Sequence, residues 1–282
     1  MTTKKMIQKS SMGLALSALT LMPFTSCSDD NDPITIYPEL PADGADNIKS
    51  IEHKGAIANT TYDWKMSYYD NRLTNAKGTI REPEDDKDKK FSYTSEITYG
   101  HDFINVVNSH QEKVKIVLNR ANYIEKMTVN ENTYEFHYAD DHLSRWEKTI
   151  TENSFGHASI HKSYGVIEYL NGDLKSIKTS TDINDEVVTT TFTSSDLVNH
   201  NGLLPEMVSA QLGCIGFEHL YYAGLLGKPT VHLVKAIKVD HSKDSSKNYS
   251  IDFHYSLNSD KNVELCSYTT PEGKPASVIY NY

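Results

Sequence analysis

The stretch SYYDNRLTNA, Ser67–Ala76, carries a pattern that recurs twice further along the chain, as HYADDHLSRW, 137–146, and EYLNGDLKSI, 168–177. In each copy a Tyr is followed two residues later by Asp or Asn, five later by Leu and eight later by an apolar residue. Asp and Asn tolerate the left-handed backbone, so each copy predicts a strand, a tight turn and a second strand. A version with a longer turn follows Leu118-Asn119. The chain is therefore predicted to be a series of β-hairpins, with chance recurrence in a Tyr-rich protein as the alternative.

Outside these copies, apolar and aromatic residues alternate with polar ones, a pattern that is typical of strands with one buried and one wet face. Clear examples are Tyr134–Tyr138, Ile251–Tyr255 and Val278–Tyr282. The chain has 18 tyrosines against 8 phenylalanines, which also favours sheet. We therefore predict a single mostly β domain at residues 48–282, built as a curved antiparallel meander or open barrel of hairpin repeats.

The segment 205–227 departs from the strand pattern and predicts one helical insert. Pro205 suits a first helical turn, and Gly227, two residues before another Pro, is a typical helix stop. Gly213 and Gly216 are expected to divide the insert into two helices. One face has helical spacing, with Phe217, Leu220, Tyr221, Gly224 and Leu225. We expect this face to fill the core inside the curved sheet.

Residues 1–26 form a separate targeting unit. Three lysines precede the apolar run Met12–Met22, which has the length of a secretory signal and is too short to span a bilayer. Ser26-Cys27 ends a stretch that resembles a loose bacterial lipobox, in which the Cys is acylated and becomes the new N-terminus. We predict lipidation of Cys27, the alternative being ordinary cleavage that leaves a free thiol.

Residues 27–47 hold several prolines among acidic residues and predict a flexible acidic tether. The run Ser28–Asp32 resembles the export signal that sends Bacteroidota lipoproteins to the outer face of the outer membrane. Two or more acyl chains hold a protein firmly in a bilayer, so the membrane is an expected partner through the lipid anchor. The expected location is the outer membrane, at the cell surface.

The formal net charge of the chain is −10, and removing residues 1–26 takes away three lysines and no acids, which gives −10 − 3 = −13. This charge argues against nucleic acid and against anionic lipid headgroups as partners. Two cysteines remain after Cys27, at positions 214 and 266. The sequence leaves open whether Cys214 and Cys266 form a disulfide, because nothing fixes the distance between them.

The sequence contains no G-x-S-x-G, H-E-x-x-H, phosphate-binding loop, G-x-G-x-x-G or C-x-x-C motif. His157 and His161 have i, i+4 spacing, but they lie in a predicted strand, where this spacing separates them by about 13 Å. They cannot share one zinc. The sequence thus predicts no catalytic residue, metal site or cofactor, and it leaves the ligand-binding residues unknown.

Carboxylates are concentrated in predicted turns, where Asp is common for backbone reasons, as at Asp140-Asp141, Asp182 and Asp185-Glu186. A hydrolase would need two carboxylates close together, which the sequence cannot show. Tyrosines of the hairpin copies, with Trp64 and Trp146, form either the core or a stacking platform for sugar rings.

The hairpin copies resemble YD-type β-hairpin repeats. With the lipobox-like start, the insert ending in YYAGLLGKP, 221–229, and the closing YNY, 280–282, the mature chain resembles an uncharacterised family of Bacteroidota lipoproteins, described as a domain of unknown function with a porin-like fold. The resemblance covers about residues 48–282; it implies a β fold and an envelope location, and it transfers no functional residue. Charged outward positions such as Glu135 and His254 disfavour the apolar outer band of a transmembrane barrel.

Three functions stay open at this point. The leading hypothesis is a surface-exposed lipoprotein that is not an enzyme and binds a glycan or protein ligand. The second is an envelope or outer-membrane accessory protein that acts by protein–protein contact. The third is a hydrolase with a carboxylate pair that the sequence does not reveal.

Overall fold

Hairpins with two-residue turns organise the fold, which is available as a computed structural model that describes residues 47–82, 92–100, 103–108, 113–154, 157–183, 185–204, 211–213 and 216–282. All of these residues belong to one compact unit, Ile34–Tyr282. Within them the structure has 17 strands and one α-helix. The strands are β1 Ser50–Gly55, β2 Thr61–Tyr69, β3 Arg72–Arg81, β4 Ser92–Tyr99, β5 Phe103–Asn108, β6 Lys113–Leu118, β7 Ile124–Val129, β8 Asn132–Ala139, β9 His142–Ser154, β10 His157–Leu170, β11 Asp173–Thr181, β12 Val187–Val198, β13 His232–His241, β14 Tyr249–Asp252, β15 His254–Leu257, β16 Val263–Thr269 and β17 Pro275–Asn281, and the helix is α1 Glu218–Tyr222.

The sheet is an antiparallel meander that closes almost completely into a barrel. Strands that are adjacent in sequence pair with each other, and β14 and β15 are two halves of one strand interrupted at Phe253. The first strand, β1, pairs with the last, β17, from Ser50↔Asn281 to Gly55↔Ala276. It also pairs with β2, but only at Ser50↔Lys65 and Ile51↔Trp64. The prediction of a curved antiparallel meander or open barrel is confirmed.

The three copies of the sequence pattern form matching hairpins. Their two-residue turns are Asp70-Asn71, Asp140-Asp141 and Asn171-Gly172, and all six residues have positive φ. This is the conformation of the turns whose twist matches that of paired strands. In each copy the Tyr pairs with the Leu five residues on, next to a register shift: Tyr68↔Leu73, Tyr138↔Leu143 and Tyr169↔Leu174. The predicted strand–turn–strand units are confirmed.

Tyrosine hydroxyls fasten the hairpins together at the end of the barrel where these turns lie. A Tyr near the end of one strand donates a hydrogen bond to a backbone carbonyl at or near the start of the neighbouring strand. Examples are Tyr68 to Ile48 (3.0 Å), Tyr99 to Leu73 (3.1 Å), Tyr138 to Ile124 (2.7 Å), Tyr255 to Val234 (2.8 Å) and Tyr282 to Val263 (2.9 Å). The tyrosines of the hairpin pattern are therefore structural parts of the sheet.

Both tryptophans lie on the inner face of the barrel, each opposite a glycine on the next strand. Trp64 is 2% exposed and pairs with Gly78, where an added Cβ would lie 2.9 Å from the indole ring. Trp146 is 5% exposed and pairs with Gly165, where a Cβ would collide with the indole Nε1. The absence of a side chain at these two glycines makes room for the tryptophans.

The insert between β12 and β13 fills the barrel, as predicted, with less helix than its periodicity indicates. The helix α1 is five residues long, and Gly216 before it and Gly224 after it have φ of +82° and +74°. Backbone in this region cannot continue a right-handed helix. Leu220 and Leu225 are nevertheless buried in the core. Of the first predicted helix, which begins at Pro205, residues 205–210 lie outside the described residues, and residues 211–213 form a turn.

The insert is attached to the sheet at both of its described ends. The indole Nε1 of Trp146 donates to the carbonyl of Gln211 at 2.7 Å, and the backbone N–H of Ile124 donates to the carbonyl of Leu225 at 2.8 Å. Lys228, just beyond the insert, forms an ion pair of 2.7 Å with Asp141 in the turn of the second hairpin copy. The insert is thus an integral part of the core.

Candidate functional site

The barrel is closed by side chains where β1 separates from β2. Backbone pairing between these strands ends at Ile51↔Trp64, two residues before His53 on β1. The carboxylate of Asp63 on β2 accepts a hydrogen bond of 2.8 Å from the backbone N–H of His53. The same oxygen lies 2.9 Å from Nδ1 of the His53 ring. Asp63 therefore takes the place of a missing backbone acceptor.

Arg81 completes this closure from β3. Its guanidinium reaches across β2 and donates to the carbonyl oxygens of His53 at 2.5 Å and Gly55 at 3.2 Å. Open strand edges expose backbone groups that can pair with other chains, and charged side chains commonly protect them. Arg81 and Asp63 satisfy the edge of β1 in this way and hold the three strands in a fixed relation.

A pocket lies on the outer surface over this junction, and we call it the seam pocket. Its volume is about 690 Å³, within the usual range of sites for small ligands. Its walls come from the first three strands, with side chains that are mostly outward-facing. The lining residues are Ser50, Ile51, Glu52, Lys54, Asp63, Trp64, Lys65, Lys77, Thr79 and Arg81.

Six of the lining side chains carry charge, four of them positive. Lys54 Nζ lies 2.5 Å from Glu52, so these two neutralise each other locally. Lys65 and Lys77 are exposed and stand directly opposite each other on β2 and β3. The lining has a formal charge of +4 − 2 = +2, on a chain whose net charge is −10.

A much smaller cavity lies on the inner side of the same junction. Its volume is about 30 Å³, enough for about one water molecule. Ile51 and Trp64 line both this cavity and the seam pocket. Glu218 of α1 lines the small cavity and not the seam pocket. The barrel wall between the two spaces is therefore one side chain thick.

His219 lies next to this region, fully buried, with its ring centroid 4.7 Å from that of Trp64. Burial disfavours the charged imidazolium and lowers the pKa of His219 to about 3. The side chain is therefore neutral at physiological pH and acts as part of the aromatic packing between α1 and the sheet.

A third space, which we call the lumen pocket, lies inside the barrel around Trp146. Its volume is about 220 Å³, and hydroxyl side chains such as Ser163, Thr179 and Thr181 line it. Glu186 also lines it and lies 3.1 Å from Nδ1 of His241. The lumen pocket is smaller than the seam pocket, and its single lining carboxylate is already engaged.

Comparison with known proteins identifies the family. Residues 66–267 match the family described as a domain of unknown function (DUF4595) with porin-like fold. The chain belongs to the DUF4595 family. No functionally curated protein gives a significant match.

Two solved structures of Bacteroides proteins are similar to this DUF4595 chain. A porin-like protein from Bacteroides uniformis ATCC 8492 superimposes with a TM-score of 0.63 at 17% identity, covering 84% of this chain and 98% of that one. A porin-like protein from Bacteroides vulgatus ATCC 8482 gives a TM-score of 0.53 at 11% identity, covering 84% and 99%. At these identities the likeness shows the fold alone.

The structure does not test the predicted signal peptide, lipidation and tether of this DUF4595 chain, because Cys27 and the segments 1–26 and 27–46 lie outside the described residues. Cys214 also lies outside them, so its pairing with Cys266 stays open. None of the described helices is long and apolar enough to cross a membrane. In the described part of the chain, no group of three or more His, Cys, Asp or Glu side chains is placed to hold a metal ion.

The residues that the sequence singled out for chemistry do not converge on one site. His157 and His161 lie along strand β10, as predicted. The aspartates 140, 141 and 185 lie in turns with positive φ. The two tryptophans are core residues, and the tyrosine hydroxyls of the first two hairpin copies bond to backbone, so they do not form an open stacking platform on the sheet.

The seam pocket was not predicted from the sequence. Asp63 and Lys65 alternate with Trp64 and Met66 in a regular strand, and this pattern looks the same as any other strand with one wet face. The sequence indicates the pocket only when β2 and β3 are considered together. Lys77, Thr79 and Arg81 follow the hairpin turn at distances that place Lys77 opposite Lys65.

Proposed function

We propose that this protein is an envelope lipoprotein, anchored through Cys27 and exposed at the cell surface, that works as a non-enzymatic binding module. We propose the seam pocket as its ligand site. The observation that carries the proposal is the pocket itself, a polar space of about 690 Å³ whose walls are fixed by the Asp63–His53 and Arg81 contacts. Rigid walls lower the entropy cost of binding.

The charges of the seam pocket favour binding over hydrolysis. Glu52 is engaged with Lys54, and Asp63 is engaged with His53, so both lining carboxylates already have partners. A carboxylate that serves as a nucleophile or general base must be available to the substrate or to a water. The pocket offers hydrogen bonds and charge in place of a catalytic pair.

A glycan or a protein remains the expected ligand. Sugar stacking on the hairpin tyrosines is not supported by their placement in the sheet. The proposal therefore moves the ligand from the inner face of the sheet to the outer wall at β1–β3. Thr79 projects into the middle of the pocket wall, between Lys77 and Arg81, and is half-buried.

The binding test fills the pocket without changing its charge. The Thr79→Trp variant is screened beside wild type against a panel of glycans and proteins. Thr133→Trp is the matched control, because Thr133 is also a half-buried strand residue, on β8 and away from the pocket lining. We expect a ligand that binds wild type and Thr133→Trp and fails to bind Thr79→Trp. A ligand that binds all three equally would place the binding site elsewhere.

The location is tested separately in cells. Protease added to intact cells is expected to degrade the wild-type chain and to spare a variant with Asp29, Asp30 and Asp32 changed to Ala. Cys27→Ala is expected to release the protein from the membrane fraction. Protection of both the wild-type chain and the aspartate variant would place the domain in the periplasm and favour the accessory-protein hypothesis.

A further inference from the structure

The outer wall of the barrel contains a pair of like charges that face each other. Lys65 and Lys77 occupy opposite positions on β2 and β3, where Cβ atoms are about 5 Å apart. Like charges directly opposite each other on a sheet destabilise it. Across the described residues, neither ammonium group forms an ion pair with a carboxylate. The pair therefore has an electrostatic cost that no ion pair within the described residues offsets.

The remaining charges of the seam pocket do not neutralise this pair. The two lining acids are occupied, Glu52 by Lys54 and Asp63 by His53. Arg81 uses two of its N–H groups on the backbone of β1, and a guanidinium has five. The pocket thus presents two lysines and part of an arginine toward one space, with the hydroxyls of Ser50 and Thr79 beside them.

We propose that the seam pocket binds an oxyanion, a carboxylate, sulfate or phosphate group carried by its ligand. This inference rests on the proposed function and specifies the ligand chemistry of the same site. An oxyanion between Lys65 and Lys77 removes their repulsion and gains charge-assisted hydrogen bonds. Because the rest of the chain is strongly acidic, attraction at long range is weak, and the local geometry determines which anion binds.

The first experiment measures binding by the fluorescence of Trp64, which lines the pocket. Trp64 and Trp146 are the chain's two tryptophans, so a Trp146→Phe background leaves Trp64 as the single reporter. The probes are inorganic sulfate, inorganic phosphate, oligogalacturonate and its fully methyl-esterified, uncharged counterpart. The inorganic anions and the acidic saccharide separate a free-ion source from a glycan source of the same chemistry.

The test variant is the double change Lys65→Gln and Lys77→Gln. The control is Lys115→Gln with Lys175→Gln, which removes the same charge from exposed lysines on β6 and β11. We expect the test variant to bind the acidic probes about tenfold more weakly, whereas the control variant binds them like wild type. Affinity should also fall as salt rises, because the contacts are ionic.

A thermal unfolding readout separates a ligand site from a structural role. If the lysines serve binding, the test variant without ligand is as stable as wild type or more stable, and it loses the stabilisation that the anion gives to wild type. A structural role for the lysines predicts lower stability in the absence of any anion, and that result would overturn the inference.

The remaining outcomes distinguish the inference from the proposed function. Equal binding of the acidic and methyl-esterified saccharides, unchanged in the test variant, would overturn the oxyanion inference and leave the binding module intact. If neither the thermal stabilisation given by these probes nor the binding of any member of the glycan and protein panel distinguishes wild type from Thr79→Trp, the seam pocket is not a ligand site and both proposals fail.

Discussion

Protonation of the buried His219 should make this protein lose stability in acid. The pKa of His219 is about 3 in the folded state, against 6.5 as the ordinary value, because the imidazolium would be desolvated. A group whose pKa is lowered by folding contributes stability that is fully present above its unfolded pKa. That stability is lost as pH falls from about 6.5 toward 3.

The size of the effect follows from the same two values. Each unit of difference in pKa corresponds to about 1.4 kcal/mol. At about pH 4 this histidine is protonated in the unfolded chain, whereas in the folded protein it is still neutral. The histidine then lowers the free energy of unfolding by about 3 kcal/mol relative to neutral pH, a large fraction of the 5–15 kcal/mol that is typical of a protein.

The assay compares wild type with His219→Phe by urea unfolding near neutral pH and near pH 4. Phe preserves a ring against Trp64 and carries no titratable group. The carboxylates that also titrate in this range are common to both proteins, so their contributions cancel in the difference. We expect wild type to lose about 3 kcal/mol more than His219→Phe on acidification. His137→Phe, at an exposed position, should follow wild type. Equal losses in wild type and His219→Phe would show that His219 does not cause the acid sensitivity.

Three further changes test the fold and its closure. Gly165→Ala drives a methyl group into Trp146 and should cost about 3 kcal/mol or more of unfolding free energy. Gly273→Ala has open space around the new methyl group and should cost about 1 kcal/mol, from its positive φ alone. Equal losses of the two variants in denaturant titrations would contradict this. Tyr138→Phe removes one hydroxyl bond of 2.7 Å and should cost about 1 kcal/mol in the same titration, with an unchanged fold by circular dichroism. Arg81→Gln should accelerate amide exchange along β1 and leave β7 and β8 protected; uniform acceleration would show that it does not act locally.

The hairpins were predictable because their information is local. A two-residue turn that requires positive φ at both positions selects Asn, Asp and Gly, and the flanking Tyr and Leu fix the register within five residues. For the closure of the sheet, the sequence predicted a curved sheet but not which strands pair to close it. The pairing of β1 with β17 joins residues more than two hundred positions apart, and the local sequence of neither strand indicates its pairing partner.

The insert shows where periodicity overestimates regular structure. Its apolar spacing correctly indicated which side chains are buried, such as Leu220 and Leu225. The helix itself was overestimated, because Gly216 and Gly224 adopt positive φ so that the chain can turn within the barrel. Burial was encoded in the sequence pattern, while the path of the backbone depended on the space that the surrounding sheet left for it.

The seam pocket exists because the barrel closes imperfectly. Where β1 leaves β2, the edge of β1 needs acceptors and donors, and Asp63 and Arg81 supply them from the outer face. Charges recruited to protect an edge also line the space that the separation opens. Arg81 thus combines two roles, and its loss should weaken both closure and binding. The side chains of Lys65 and Lys77 make no such contact with β1, so their removal separates the pocket's binding capacity from the stability of the barrel.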